Sequence, residues 1–278
     1  MKNYLIAYNV IDEKNAREHT VQAESAEEAK VKARIELFKV HNALVNITDA
    51  IKVNAVLENP IADTGKKSSL GDLNLMPTGP LVFKIGSIEL IVGDITKVPA
   101  DAIVNAANKE LRAGAGVCGA IYKAAGLTEL DHVTKQLGPI STGTAVATPS
   151  FNLATGESKA KHIFHTVGPV YDDGLNGEHI LLEAAYKSVY KLARQMNHDL
   201  ERTGGTDKEY SDLAWIRSIS FPCISTGVYG YPPITAARIA VETAIDFHKF
   251  NFGYRTKFVC FLESDFHIYK AFLEAMCK

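Results

Sequence analysis

Short apolar runs alternate with longer segments of helical periodicity from residue 81 to the end of the chain. The apolar runs predict strands at 81–85, 87–92, 102–105, 143–148, 162–167, 218–222 and 257–262. The helical periodicity predicts helices at 119–126, 181–196, 234–250 and 266–276. This alternation indicates an α/β fold with a largely parallel sheet that is covered by helices on both faces. The polar segment 197–213 breaks the alternation and is predicted to be an exposed insertion.

The first 57 residues have a different pattern. Strands are predicted at 4–11, 19–23 and 47–57, and a helix at 25–40, which gives a small α+β unit of ββαβ order. The apolar residues of that helix lie on two opposite faces. We expect the outer face to contact the rest of the chain, a second copy or a partner protein, although a buried satellite helix is the simpler interpretation. The outer face consists of Val31, Ile35 and Phe38.

The segment 58–80 is rich in Pro, Gly, Ser and Asn and has little periodicity, which is typical of a linker. The predicted organisation is therefore a small domain at 1–57, a linker at 58–80 and a larger α/β domain at 81–278. Residues 1–80 resemble no family that we recognise. The unit at 1–57 contains no phosphate loop or metal-spaced cluster, so we expect it to have no part in catalysis.

Composition narrows the functional classes. The 278 residues are 46% hydrophobic and 22% charged, as in soluble globular proteins, and a net charge of −2 argues against a general nucleic-acid binder. No stretch approaches the ~18 apolar residues of a membrane span, so we expect a cytoplasmic protein. The four cysteines form no C-x-x-C pair, and neither a disulfide framework nor a zinc site is indicated.

An Asn-rich turn and a small-residue loop follow the predicted strand at 102–105. Asn105 and Asn108 fall at the carboxyl end of that strand, where open α/β sheets place their ligand crevice. The loop after them has little side-chain bulk, so its backbone N–H groups can approach an anion at the start of the next helix. Asn and Gly are also ordinary residues of strand-to-helix turns, and that alternative stays open. The loop consists of Gly114, Ala115, Gly116, Val117 and Cys118.

Two further strand ends carry candidate ligand contacts. Asp94 and Ile95 follow the strand at 87–92, where a carboxylate and a backbone N–H suit the amine and ring nitrogen of adenine; a turn or cap role for Asp94 is the commoner alternative. A second small-residue loop follows the strand at 218–222, and the two loops can hold a diphosphate between them. This second loop consists of Ser225, Thr226, Gly227, Val228 and Tyr229.

Six ordered motifs carry a family resemblance: GDIT (93–96), NAAN (105–108), GAGVCGAIYKAAG (114–126), HTVGPVY (165–171), FPCISTGVYGYPP (221–233) and CFLESDFHIY (260–269). In this order and spacing they resemble macrodomains, three-layer α/β/α modules with a mostly parallel mixed sheet that bind ADP-ribose. The resemblance covers residues 81–278. It implies adenine on Asp94 and Ile95, an adenine-flanking aromatic at Phe266, the distal ribose on Asn108, and the diphosphate between the two loops.

The resemblance also implies a reaction. The macrodomains with the most similar motif sequences remove mono-ADP-ribose from acidic side chains and hydrolyse O-acetyl-ADP-ribose. In the implied mechanism, water attacks the anomeric carbon of the distal ribose, Asn108 orients ribose and water, and a diphosphate oxygen takes the proton. ADP-ribose is then the ligand, free or on a modified protein, and no cofactor is expected. The alternatives are a reader that binds ADP-ribose without turnover and a phosphatase acting on ADP-ribose 1″-phosphate.

One loop position departs from the cellular hydrolases of that family. Those enzymes have an Asp that positions the attacking water, where this chain has Cys118, and a largely protonated thiol is a poor base. The sequence GVCGAIY nevertheless resembles the loop of alphavirus macrodomains, a group with hydrolase activity. Zinc-containing macrodomains pair a loop Cys with a His, but Tyr122 occupies the comparable position here, so no metal is expected.

Overall fold

A computed structural model describes residues 2–10, 17–23, 45–53, 81–202 and 215–277. The chain divides into two compact units, Met1–Leu81 and Val82–Lys278. The predicted linker at 58–80 and the predicted helix at 25–40, with its outer face of Val31, Ile35 and Phe38, lie outside the described residues. The domain boundaries proposed from the sequence therefore stay a prediction.

The first unit contains a three-stranded antiparallel sheet. Its strands are β1 (Lys2–Val10), β2 (Arg17–Ala23) and β3 (Val45–Val53), in the order β2-β1-β3. The pairing of β1 with β3 shifts register between Ala7 and Tyr8, as at a β-bulge. Antiparallel pairing is what a strand-turn-strand sequence is expected to form.

The second unit alternates strands and helices as its apolar pattern predicts. The strands are β4 (Val82–Ile85), β5 (Ile88–Val92), β6 (Ala102–Ala106), β7 (Ala145–Pro149), β8 (His162–Thr166), β9 (Ser218–Phe221) and β10 (Arg255–Cys260). The helices are α1 (Gly116–Ala125), α2 (Leu127–Leu137), α3 (Glu178–Arg202), α4 (Pro233–Phe250) and α5 (Glu263–Met276), and a short 3-10 helix spans Phe151–Ala154.

The seven strands form one mixed sheet in the order β4-β5-β10-β9-β6-β8-β7. The five central strands are parallel, and the two edge strands β4 and β7 are antiparallel to their neighbours. Central strands such as β6 are buried over most of their length, as expected where helices cover both faces. The carboxyl ends of β5, β10, β9, β6 and β8 consequently lie along one edge of the sheet, called here the carboxyl edge.

The helices form two separate layers. Helices α1 and α2 pack against each other, whereas α3 and α5 both pack against α4. Right-handed crossovers that leave the sheet centre toward opposite sides put these two sets on opposite faces. The α3–α5 side has an aromatic core in which the Tyr186 ring lies 5.5 Å from Phe221 and 6.3 Å from Phe258. The expected three-layer α/β/α fold is confirmed.

Two details differ from the sequence prediction. Helix α2 and the 3-10 helix were not expected, because the predicted helix ended at Gly126, directly before α2, and four residues are too few to show a periodicity. The exposed insertion predicted from residue 197 was wrong over its first part, since α3 continues to Arg202 and buries Asn197. The Asn197 side chain donates to Ile216 O and accepts from Ile216 N, both at 2.9 Å, which ties the helix end to β9. Within the described ranges, no helix has the length and apolar character needed to cross a bilayer.

Candidate functional site

The strand order creates a crevice at the centre of the carboxyl edge. Strands β6 and β9 are neighbours, but the chain leaves β6 toward β8 and β7 on one side and leaves β9 toward β10 on the other. Loops that diverge from adjacent parallel strands leave a gap between them, and α/β proteins bind ligands at such switch points. The loop after β6 (residues 107–115, the β6 loop) and the loop after β9 (residues 222–232, the β9 loop) form its two sides.

The β6 loop leads into the uncapped N-terminus of α1. Ala115 occupies the N-cap position in an extended conformation, and in this described stretch no side chain caps the helix and no acidic residue lies in its first turn. The first backbone N–H groups of a helix have no intrahelical acceptor and form the positive end of its dipole. This end of α1 is therefore suited to an anion such as a diphosphate.

A close backbone approach holds the β6 loop against α1. A Cβ atom on Gly119 would lie 2.3 Å from Gly114 O, a distance that real Cβ contacts do not reach. Gly116 begins the helix with φ of +60°, a conformation that favours glycine. The glycines of this loop therefore have a packing role as well as leaving the backbone accessible.

Asn108 closes the β6 loop with two hydrogen bonds to one residue. Its Nδ2 donates to Arg112 O at 2.8 Å, and its Oδ1 accepts from Arg112 N at 3.0 Å. Tyr122, which is fully buried, donates to Leu111 O at 2.6 Å, and its hydroxyl lies 3.1 Å from Thr134 Oγ1, so the same loop is also tied to α2. Asn108 itself is half-buried and lies beside the loop that it shapes.

A buried polar chain supports the β6 loop from below. Asn105 and His165 are directly opposed on β6 and β8, and Asn105 Nδ2 lies 3.1 Å from His165 Nδ1. Because an amide nitrogen only donates, Nδ1 accepts, and Nε2 donates to Thr148 Oγ1 at 2.9 Å. Burial lowers the pKa of His165 to about 4, so the ring is neutral near pH 7.

Asn105 therefore supports the crevice from within and presents no exposed amide to it. Its side chain is fully buried, and Oδ1 has no hydrogen-bond partner in the described part of the chain. The sequence prediction of a ligand contact at Asn105 rested on its position at the end of β6, which the structure reproduces. Its burial favours a supporting role instead.

Cys118 is buried at the first turn of α1. Its thiol lies 3.6 Å from Arg112 O, and the residue is 5% exposed. Burial raises the pKa of Cys118, and hydrogen bonds with the Asn105 side chain and the Gly114 backbone offset only part of the rise. A buried, protonated thiol in this position does not act as a base near neutral pH.

The β9 loop is held by turns and is more open. Thr226 Oγ1 donates to Cys223 O at 3.0 Å, and Tyr231 N donates to Ser225 O at 2.9 Å. Ser225 has a φ of +68°, and its buried Oγ has no hydrogen-bond partner among the residues described. Val228 at the tip is 89% exposed, and a Cβ on Gly227 would meet no atom within 4 Å.

Tyr229 connects the two sides of the crevice. Burial raises the pKa of its hydroxyl, and the nearby Glu110 carboxylate raises it further; Tyr229 lines one cavity together with Glu110 of the β6 loop. A cavity of about 510 Å³ is lined by residues after three strands, including Glu110, Gly168 and Tyr229. A cavity of about 700 Å³ lies at the opposite edge of the sheet, around Ile216 and Tyr254, away from both loops.

The structure brings Asp94 and an exposed aromatic together at the end of β5 and β10. Asp94 Oδ1 accepts from Thr96 N at 2.9 Å and from Thr96 Oγ1 at 2.7 Å, so one carboxylate oxygen shapes the turn. Gly93 N donates to Cys260 O at 3.0 Å, which places the turn beside Phe261. Ile95 is buried beneath the turn at 4% exposure.

Phe266, expected from the sequence to flank adenine, is 4% exposed and packs inside the first turns of α5. Phe261, directly after β10, is 81% exposed and lies at the carboxyl edge. An aromatic ring can stack on a ligand only through an accessible face, so burial favours Phe261 for this position. Its place directly after the strand, instead of inside the helix, is the signal that the sequence reasoning overlooked.

The polar pair of His165 and Thr148 was also not singled out from the sequence. His165 opens the HTVGPVY motif, but only the pairing of β6 with β8 shows that it contacts Asn105. Within the described ranges, no group of three or more His, Cys, Asp or Glu side chains is arranged to hold a metal ion.

Comparison with known proteins gives the family of the chain. A family model described as Macro domain matches residues 104–240. The chain is 43% identical over 190 residues to a protein of Salmonella gallinarum named O-acetyl-ADP-ribose deacetylase, an alignment of 67% of this chain and 93% of the relative. The chain belongs to the macrodomain family. An Escherichia coli K12 protein of the same name is 40% identical over 190 residues, covering 67% of this chain and 94% of that protein.

Solved macrodomains share the fold. The structure of the Oceanobacillus iheyensis macrodomain with ADP has a TM-score of 0.59 and 34% identity, covering 72% of this chain and 97% of that one. A Trypanosoma brucei macrodomain in complex with ADP-ribose has a TM-score of 0.52 and 31% identity, covering 66% of this chain and 68% of that one. The matched lengths correspond in size to the second unit of this protein.

Proposed function

We propose that the macrodomain unit binds ADP-ribose in the crevice between the β6 and β9 loops and hydrolyses acyl esters of its distal ribose. The substrates are O-acetyl-ADP-ribose and ADP-ribose esterified to an acidic side chain of a protein. The observation that carries the proposal is the uncapped N-terminus of α1, which faces the β9 loop across the switch point. Relatives at 40% and 43% identity bear the name O-acetyl-ADP-ribose deacetylase.

The proposed arrangement runs along the carboxyl edge from β5 to β6. Adenine lies near Asp94, Ile95 and Phe261, the diphosphate lies between the first turn of α1 and the β9 loop, and the distal ribose lies near Asn108. Backbone donors that are already oriented stabilise the developing charge of the transition state with little reorganisation. This assignment follows from the accessible groups at the edge and agrees with the family resemblance.

In the reaction, water adds and the ester bond to the distal ribose breaks, releasing a carboxylic acid and ADP-ribose. Asn108 orients the ribose and the water, and a diphosphate oxygen accepts the water proton. A protein base at Cys118 is not used, because burial raises the pKa of that thiol. For the ester of an acidic side chain, we propose attack at the anomeric carbon through an oxocarbenium-like transition state.

A turnover assay in water labelled with heavy oxygen tests the reaction. The full-length protein is incubated with O-acetyl-ADP-ribose and, separately, with a Glu-mono-ADP-ribosylated peptide. We expect release of both acids, with the label in the ribose of the peptide-derived product. Label in the carboxylate would show attack at the carbonyl instead. Phosphate release from ADP-ribose 1″-phosphate, without ester cleavage, would assign the protein to the phosphatase alternative.

A reader of ADP-ribosylation is the second candidate, and the buried Cys118 favours it. Without an acidic base in the β6 loop, the same crevice can bind the ligand without turning it over. A single-turnover experiment at stoichiometric protein separates the two functions. If the protein binds ADP-ribose but the ADP-ribosyl group stays on the peptide, the protein is a reader and the hydrolase proposal is wrong.

Asp94 tests the adenine position. Asp94→Ala removes the acceptor for the adenine amine and should weaken ADP-ribose binding by ~1–3 kcal/mol in calorimetry. Asp94→Asn keeps an oxygen for the Thr96 turn and separates loss of the turn from loss of the charge. Asp246→Ala on α4, in an exposed pair with Lys249, is the matched control and should bind normally. Unchanged affinity in Asp94→Ala would remove the adenine assignment.

The unit at 1–57 is proposed to have no part in catalysis and to be separable from the macrodomain. The split of the chain at Leu81 and the 190-residue length of the matches support this organisation. A polypeptide that begins at Leu81 should fold and bind ADP-ribose as the full chain does. Insolubility or much weaker binding would show that the first unit is part of the scaffold of the site.

A further inference from the structure

Two cysteines and a carboxylate meet beneath the ligand-binding edge. Cys223 Sγ lies 3.9 Å from Cys260 Sγ, and the Cys223 thiol is hydrogen-bonded with the Asp265 side chain on α5. Cys260 is fully buried, whereas Cys223 is partly exposed. We propose that Cys223 and Cys260 form a vicinal dithiol that a hydroperoxide converts to a disulfide, and that the disulfide weakens ligand binding in the crevice.

The backbone geometry allows the bond. Phe221, the last residue of β9, pairs with Phe258 on β10; Cys260 ends β10, and Cys223 lies two residues after β9, at the start of the β9 loop. Neighbouring strands are ~4.8 Å apart, within the Cα separation of ~4.4–6.8 Å that disulfides span. A small shift of the β9 loop toward β10, together with rotation about the Cα–Cβ bonds, can therefore bring the sulfur atoms from 3.9 Å into bonding distance.

The cluster assigns different roles to its three members. Cys223 is accessible to a small oxidant, and Asp265 is positioned to accept its thiol proton. Burial raises the pKa of Asp265, which makes its carboxylate a better proton acceptor than an exposed one. The hydrogen bond with Cys223 is the main cause that raises the pKa of Cys260, and burial raises it further. Cys260 is therefore poorly reactive until Cys223 has been oxidised.

The chemistry proceeds in two balanced steps. The Cys223 sulfur attacks the terminal oxygen of the hydroperoxide, the O–O bond breaks, and the thiol proton passes through Asp265 to the departing oxygen. This gives a sulfenic acid and an alcohol, or water when the oxidant is hydrogen peroxide. The Cys260 sulfur then attacks the Cys223 sulfur, the S–O bond breaks, and the departing hydroxide takes the Cys260 proton to form water. Two thiols lose two electrons, and the peroxide gains them.

The cysteine pair is hydrogen-bonded to two loops, one at the proposed adenine position and one at the proposed diphosphate position. Cys223 O accepts from Thr226 Oγ1, which shapes the β9 loop, and Cys260 O accepts from Gly93 N, next to Asp94. Closing the sulfur atoms from 3.9 Å to a bond of ~2.0 Å moves these anchors toward each other. This consequence rests on the proposed ADP-ribose site, whereas formation of the disulfide does not.

The test treats the full-length protein with hydrogen peroxide and follows it by intact mass, peptide mapping and calorimetry with ADP-ribose. We expect the loss of two hydrogen masses, a crosslink between the peptides of Cys223 and Cys260, and affinity reduced on the order of tenfold, or about 1.4 kcal/mol. A dithiol reductant should restore both mass and affinity. Cys223→Ser should lose the crosslink and the peroxide response, whereas Cys277→Ser, which removes an exposed thiol, should keep both.

Asp265→Asn adds a kinetic readout, because it should slow crosslink formation while leaving the final oxidised mass unchanged. Absence of the crosslink in the parent, or an equal loss of affinity in peroxide-treated Cys223→Ser, would overturn the proposal. If the reduced parent fails to bind ADP-ribose, the proposed function is wrong, and the mass and mapping data still decide whether the dithiol forms.

Discussion

The two loops that face each other across the crevice are built differently. The β6 loop is fastened from several directions: Asn108 bonds twice to Arg112, Tyr122 donates to Leu111 O, and the buried pair of Asn105 and His165 lies underneath. The β9 loop is held by its own turns, has an exposed tip at Val228 and leaves open space around Gly227.

This difference indicates a division of labour. A loop that is bonded on several sides keeps a fixed geometry, which suits the groups that must be aligned with the reacting bond. A loop with open space can adjust to the ligand at little cost. We therefore expect changes in the β6 loop to reduce catalysis or stability, and matched changes in the β9 loop to affect mainly binding.

The largest expected effect is on turnover, in Asn108→Ala. Loss of one oriented donor at a reacting centre costs about 10²–10³ in kcat, or ~3–4 kcal/mol. On the other side of the crevice, Thr226→Ala removes the bond to Cys223 O and should raise KM more than it lowers kcat. Steady-state kinetics on O-acetyl-ADP-ribose measure both variants. Asn108→Asp is the control for the loop structure, because it retains the acceptor for Arg112 N. Equal effects on kcat from both loops would contradict the division.

The next effect is on stability at acidic pH. His165 has a pKa lowered to about 4 by burial, against an ordinary value of 6.5, so the unfolded chain binds more protons between these values. Its contribution is present above pH 6.5 and is lost as the pH falls toward 4, by about 3 kcal/mol in total. Urea unfolding of the parent should show this slope.

His165→Gln is the control for that slope, because glutamine carries no titrating group and can still bond to its neighbours. The pH dependence of its unfolding free energy between pH 4 and 6.5 should be flatter than that of the parent. His162 and His248 have pKa values lowered in the same direction by burial and remain in both proteins. An identical slope in the two proteins would mean that His165 does not titrate differently on unfolding.

A smaller effect is expected from adding one methyl group to α1 where it packs against the β6 loop, and one to the β9 loop. Gly119→Ala places a Cβ against Gly114 O and should destabilise the protein by ~1–3 kcal/mol and weaken ADP-ribose binding. Gly227→Ala meets no atom within 4 Å and should unfold at nearly the parental temperature. Thermal unfolding and calorimetry compare the pair. Similar behaviour of the two variants would show that the β6 loop is not tightly packed against α1.

The smallest effect is expected from Cys118→Ala. The thiol is buried and protonated, so its role is that of a small side chain in a tight loop, and kcat/KM should change by less than about threefold. Cys118→Ser, of similar size, separates lost volume from changed polarity. A severe loss of rate with folding and ADP-ribose affinity intact would show that the thiol takes part in the chemistry.

Several parts of the site were predictable because they are local. The end of an apolar run followed by small residues marks a strand-to-loop junction, and this pattern located the β6 loop, the β9 loop and the Asp94 turn. Helix α2 was missed although Leu127, Leu130 and Leu137 recur at helical spacing, since the predicted helix ended at Gly126; only Leu130 and Thr134 of α2 are buried. Packing against α1 and β7 holds that segment in place.

The amino-acid sequence by itself determined the alternation of strands and helices and the chemistry available at the strand ends, since both depend on neighbouring residues. Only the tertiary structure decided that β9 lies beside β6, that His165 meets Asn105, and that Cys223 meets Cys260. It also decided that Phe261 is exposed whereas Phe266 is buried. These outcomes depend on strand order and on burial between segments far apart in the chain, which local periodicity does not encode.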